Sequence, residues 1–92
     1  MAQGDDTGML RILYFAWLRD RLGRPGETLP LQGQAHSVQD LIGQLRARGG
    51  AYGEIFAKPE LIRVAVNQSF ATIDAPIAAN DEIAFFPPVT GG

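Results

Sequence analysis

The residues with the clearest chemical potential are the last ones, Pro87-Pro88-Val89-Thr90-Gly91-Gly92. A diglycine at a carboxyl end has no side chain to obstruct entry into a narrow site. Its reactive group is the terminal carboxylate, so the expected chemistry falls on Gly92. The segment from Pro87 to Gly92 is six residues, an extended reach of about 20 Å. Proline fixes φ and stiffens the exit, whereas glycine leaves the far end thin and pliable. A tail of this kind can thread a terminus into the active site of a partner.

Other chemistries find little support. The chain has no cysteine, which excludes disulfides, thiolate catalysis and cysteine-ligated metals. Its one histidine, His36, cannot form a histidine-based metal site alone and is expected in a solvated loop. The acidic neighbours Asp5-Asp6 and Asp81-Glu82 have no nucleophile or second functional group beside them and are expected to be solvated charges. Gly23 to Gly26 lacks the pattern of a phosphate loop. Independent catalysis is therefore not expected. Eight basic and ten acidic residues give a net charge of −2 with no basic run, which argues against nucleic acid. No apolar run is long enough to span a bilayer. The polar start is unlike a signal peptide, so a cytoplasmic protein is expected.

Ninety-two residues, 46% apolar and 20% charged, suit one small globular domain. The expected division is a flexible extension at 1–8, a folded domain at 9–86 and an extended tail at 87–92. Met9 to Phe15 is apolar apart from Arg11 and predicts a first strand. A helical turn over Ala16 to Leu22, stopped by Gly23, and a turn at Arg24-Pro25-Gly26 lead to a short second strand, Glu27 to Leu31. Ser37 opens the main helix with Asp40 in the third position of a capping box. Val38, Leu41, Ile42 and Leu45 form its apolar stripe, and Gly49-Gly50 closes it. Ala51 to Ala57 suggests a further helical turn. Strands are predicted at Ile62 to Val66, Phe70 to Ile73 and Glu82 to Phe86, the last stopped by Pro87-Pro88. One amphipathic helix covers one sheet face, so the expected class is α+β: a mixed sheet of about five strands curled on one main helix, the β-grasp or ubiquitin-like roll.

Strand parity then sorts the side chains. Leu10, Ile12 and Tyr14 share one face of the first strand; Arg11, Leu13 and Phe15 share the other. Ile83 and Phe85 oppose Glu82, Ala84 and Phe86 in the last strand. With the charged members outside, Leu13, Phe15, Ala84 and Phe86 lie outside too, with Ala65 and Phe70 extending the patch. An outward apolar face on so small a domain suggests a protein partner.

The run Asp81-Glu82-Ile83-Ala84-Phe85-Phe86-Pro87-Pro88-Val89-Thr90-Gly91-Gly92 resembles the carboxyl end of the small subunit of molybdopterin synthase, the MoaD sulfur carriers. Ile12-Leu13-Tyr14-Phe15-Ala16 with Leu18-Arg19, and Val64-Ala65-Val66-Asn67-Gln68, are similar to that family as well. The resemblance runs from Met9 to Gly92; a longer amino end and Asn80, where the family often has glycine, depart from it. It implies that an E1-like, MoeB-like partner uses ATP to adenylate the Gly92 carboxylate, and that a persulfide donor converts it to a thiocarboxylate. The tail, including Val89 and Thr90, then enters a large MoaE-like subunit and gives its sulfur to cyclic pyranopterin monophosphate, two transfers building the dithiolene in a heterotetrameric synthase. It further implies that Phe15, Phe70 and Phe86 contact the large subunit, that Gly91 provides clearance, and that no cofactor is held tightly. A sulfur carrier for a thiamine-type pathway and a ubiquitin-like protein modifier share the fold and tail and remain alternatives.

Overall fold

Alternation of side chains makes the first strand the organising element of the sheet. A computed structural model describes residues 8–31 and 36–88. Residues 1–7 of the extension expected at 1–8, with Asp5 and Asp6, and the tail residues Val89, Thr90, Gly91 and Gly92 lie outside the described residues. Strand β1 spans Met9–Tyr14, with Leu10, Ile12 and Tyr14 buried and Arg11 exposed. A short helix α1, Trp17–Leu22, leads to β2, Gly26–Pro30. The main helix α2 spans Val38–Arg46 and the short helix α3 Gly50–Ile55. A 3₁₀ turn at Pro59–Leu61 precedes β3 (Arg63–Val66), β4 (Ser69–Ala71) and β5 (Glu82–Phe86).

The strand order is β2-β1-β5-β3-β4. Strands β1 and β5 run parallel at the centre, and the other neighbours pair antiparallel. This is the mixed β-grasp sheet expected from the element order. Helix α2 begins with the anticipated capping box. The Ser37 Oγ accepts from the Asp40 N–H at 3.3 Å, and the Asp40 carboxylate accepts from the Ser37 N–H at 3.2 Å. Val38, Leu41, Ile42 and Leu45 are all buried against Leu10, Ile12, Val64, Ile83 and Phe85.

The differences from sequence expectation are local. The second strand begins at Gly26, one residue early, and the fourth is shorter and shifted, Ser69–Ala71 instead of Phe70 to Ile73. Tertiary pairing sets these edges: Gly26 pairs with Leu13, and Ser69 with Val66. The main helix ends at Arg46 with Ala47 as its cap, before the expected Gly49-Gly50 stop; these glycines, both at positive φ, instead open the next helix, so the short expected turn is a packed helix followed by the fully buried Phe56. His36 is exposed as expected. Asp81, expected as a solvated charge, is half-buried and ties a turn together, accepting from Asn67 Nδ2 at 3.0 Å and the Ala78 N–H at 2.7 Å. The described residues contain no helix long and apolar enough to cross a membrane.

Candidate functional site: an aromatic face at the root of the tail

The parallel pairing of β1 with β5 brings the outward residues of both strands into register. Leu13 lies opposite Ala84, Ala84 opposite Ala65, and Ala65 opposite Phe70. Arg63 lies opposite Phe86, and the Phe15 N–H donates to the Phe85 carbonyl at 3.0 Å, extending the pairing by one step. The phenylalanines meet on this face. Ring centroids of Phe15 and Phe86 are 6.2 Å apart at 86°, and those of Phe70 and Phe86 are 5.6 Å apart at 58°. Phe70 is 79% exposed and Phe15 45%, whereas Phe86 between them is half-buried. The structure thus brings together all three phenylalanines singled out in the sequence. Ala65 and Ala84 share the face but are themselves buried, because small side chains sit low between larger neighbours.

Phe86 is the last paired residue of β5, and Pro87 and Pro88 follow directly, both half-buried. Neither proline has an N–H for the ladder, which is why pairing stops. The tail therefore leaves the domain from the centre of the aromatic cluster. Leu18, completely buried, and Tyr14, 1% exposed, bracket a turn at Ala16, whose φ of 58° and ψ of −135° are strained for a residue with a Cβ. That turn keeps Phe15 outward while the chain swings into α1, leaving Trp17 exposed near Leu61 on the rim of a groove.

Sequence reasoning missed the groups beneath this face. The Tyr14 Oη donates to Glu27 Oε2 at 2.7 Å, and the Tyr52 Oη donates to the same atom at 2.7 Å. Arg48 reaches Glu27 Oε1 at 2.9 Å and stacks over the Tyr52 ring, 4.8 Å from its centroid. A signal was available: parity puts Tyr14 inward, and a buried tyrosine hydroxyl needs a partner. Which partner it finds depends on the tertiary structure.

Burial alone would raise the Glu27 carboxyl, but hydrogen bonds from Tyr14, Arg48 and Tyr52 outweigh it and hold the group below the usual carboxylate range. Burial, and next the hydrogen bond to Glu27, push the Tyr14 hydroxyl far up. A carboxylate lowered on folding favours the native state above its unfolded pKa, and that contribution disappears as pH falls through the folded value. Urea unfolding is thus expected to show stability holding from pH 7 to about 5 and then declining through the acid range. Glu27→Gln should flatten part of that decline; an unchanged pH profile in this variant would remove Glu27 as its source.

The described residues contain no cluster of three or more His, Cys, Asp or Glu that could hold a metal. What the arrangement offers is an exposed aromatic face with Pro87 and Pro88 leaving the sheet from its middle. Residues 12–92 match the ThiS family. The molybdopterin synthase sulfur carrier subunit of Haemophilus influenzae is 33% identical over 84 residues, spanning 91% of this chain and all of the relative. SAMP1 of Haloferax volcanii superposes with a TM-score of 0.72 at 27% identity, covering 92% of this chain and 100% of that one. A chain from the protein–protein complex of subunits 1 and 2 of molybdopterin-converting factor from Helicobacter pylori shares the fold, with a TM-score of 0.60 at 19% identity, covering 91% of this chain and 99% of that one. Matched along almost its whole length by a family and by a relative of nearly equal extent, this chain belongs to the ThiS family.

Proposed function

We propose that this protein is the sulfur carrier subunit of a molybdopterin synthase. The observation that carries the reading is the position of Phe86: it is the middle ring of the exposed aromatic cluster and the residue from which the tail departs. Docking of Phe15, Phe70 and Phe86 on a large, MoaE-like subunit would aim Pro87, Pro88, Val89 and Thr90 along one path and deliver Gly92 to that subunit's active site. Family membership, and the name of the Haemophilus influenzae relative, support the same assignment.

The chemistry is leaving-group activation. A carboxylate is a poor electrophile. In the proposed sequence the Gly92 carboxylate attacks the α-phosphorus of ATP on an E1-like activating partner, and pyrophosphate leaves. A persulfide then attacks the acyl carbon and AMP leaves. A thiol cleaves the resulting acyl disulfide, so the thiocarboxylate remains on Gly92. In the large subunit this sulfur attacks the pyranopterin substrate and displaces an oxygen substituent; water then cleaves the acyl–sulfur bond, so the sulfur stays on the pterin and the Gly92 carboxylate is regenerated, the chain providing sulfur while its partners provide the catalytic groups. The proposed use of ATP supports a cytoplasmic setting.

The direct test mixes the protein with a competent activating enzyme, ATP and a persulfide donor. Intact mass spectrometry should show one oxygen replaced by one sulfur, localised by fragmentation to Gly92. An unmodified chain with an activator that loads its own carrier would overturn the reading.

A further inference from the structure

The carrier chemistry has no use for the carboxylate of Glu27, yet four side chains converge on it. Tyr14 and Tyr52 donate to Oε2, each at 2.7 Å, while Arg48 at 2.9 Å and Arg24 at 3.4 Å reach Oε1. Its side chain is only 10% exposed. These donors come from β1, α3, the segment after α2 and the turn before β2. The cluster is therefore a junction of separate elements, located on the inner side of the sheet end from which the tail leaves.

The connection to the outer face is short. Tyr14 stacks on Phe85, with centroids 6.4 Å apart and 17° between planes, and Phe56 packs edge-on against Phe85 at 5.1 Å. Tyr14 and Phe85 are adjacent in sequence to Phe15 and Phe86 respectively. In a strand, consecutive side chains project to opposite faces from one continuous backbone. Whatever fixes Tyr14 and Phe85 inside thus fixes the backbone that carries Phe15 and Phe86 outside. Something must do so, because Ala16 holds a strained positive φ directly after Phe15. Strain of this kind persists only when its surroundings over-determine it. Leu18 secures the chain on one side of Ala16, and the Tyr14 hydroxyl bound to Glu27 secures the other.

We propose that Glu27 is a positioning residue for partner docking: from inside the sheet it holds Tyr14 and Tyr52, and through Tyr14 and its stacked Phe85 it sets the placement of Phe15 and Phe86. This role rests on the docking face described under the proposed function. It is distinct from a general contribution to stability, since it predicts loss of affinity in chains that are fully folded.

The test measures affinity for the large synthase subunit from the same organism by calorimetric titration, at a temperature where circular dichroism shows every variant folded. Glu27→Gln keeps the size of the side chain, and Tyr52→Phe keeps the ring while removing one donor. Each is expected to bind about fivefold more weakly, the effect of losing one hydrogen bond from the docking geometry. The double variant should lose little more, because both act through the same junction. Ile77→Val removes a methylene from a buried side chain on the segment leading into β5, away from the tail root. It should cost comparable stability and leave affinity unchanged. Wild-type affinity in Glu27→Gln and Tyr52→Phe, alongside weak binding by Phe86→Ala, would overturn the positioning role alone. An equal loss in Ile77→Val would overturn it too, by showing that affinity follows stability. Wild-type affinity in Phe86→Ala would overturn the docking face and this role with it.

Discussion

A chain extended by one alanine after Gly92 takes up no sulfur when incubated with activating enzyme, ATP and persulfide donor. The expected effect is close to complete loss, since the proposed reacting atom belongs to the last residue and not to a side chain. One added residue moves the carboxylate by about 3.5 Å. It also introduces a Cβ where diglycine has none. Misplacement of a reacting group by an ångström is enough to cost about a hundredfold in rate. The extension leaves untouched every core residue and all three phenylalanines of the outer face, so the thermal midpoint should match the parent chain and binding to the large subunit through the aromatic face should remain measurable. Intact mass reports loading, and a binding titration reports docking. Normal sulfur uptake by the extended chain would show that the terminus is not the working group.

The adjacent phenylalanines of β5 should separate folding from binding. Phe85 is completely buried and touches Tyr14 and Phe56, whereas Phe86 lies on the outer face between Phe15 and Phe70. Phe85→Ala leaves a cavity in the centre of the core and is expected to cost about 3–5 kcal/mol, enough to unfold much of a small domain. Phe86→Ala should leave a cooperative fold. It removes the middle ring of the proposed docking face, and a central aromatic anchor is worth about 2 kcal/mol or more, a roughly thirtyfold loss of affinity. Denaturant unfolding and a titration against the large subunit measure the two quantities. The assignment of faces fails if Phe86→Ala unfolds the protein, or if it binds as the parent does. One step along a strand changes which quantity responds, because neighbouring side chains project to opposite sides.

Much of this was legible in the chain. The stripe of Val38, Leu41, Ile42 and Leu45 repeats at helical spacing, and Ser37 with Asp40 marks the start, so α2 follows from local rules. The alternation in β1 and β5 assigns Phe15 and Phe86 to the outer face before any strand is paired. Pro87 and Pro88 end the ladder because they have no N–H. The diglycine, with nothing projecting from it, defines what the tail could do wherever the domain lies.

Other features required the chain to close on itself. That Phe70 meets Phe86 depends on β3 standing between β4 and β5, a pairing of residues distant in sequence. The shifted edges of β2 and β4 reflect which partner strand supplies hydrogen bonds. The strained turn at Ala16 shows no signal in an alanine. The junction at Glu27 was least accessible of all, as its donors span Tyr14 to Tyr52 and no spacing rule connects them. Local periodicity is a property of a few consecutive residues, so the sequence alone determined the helix and the strand faces, and its diglycine is the source of the proposal for the reacting group. Convergence of distant polar groups on one carboxylate arises only when the fold brings their elements together and leaves the buried Tyr14 hydroxyl in need of a partner, and that was decided by the tertiary structure.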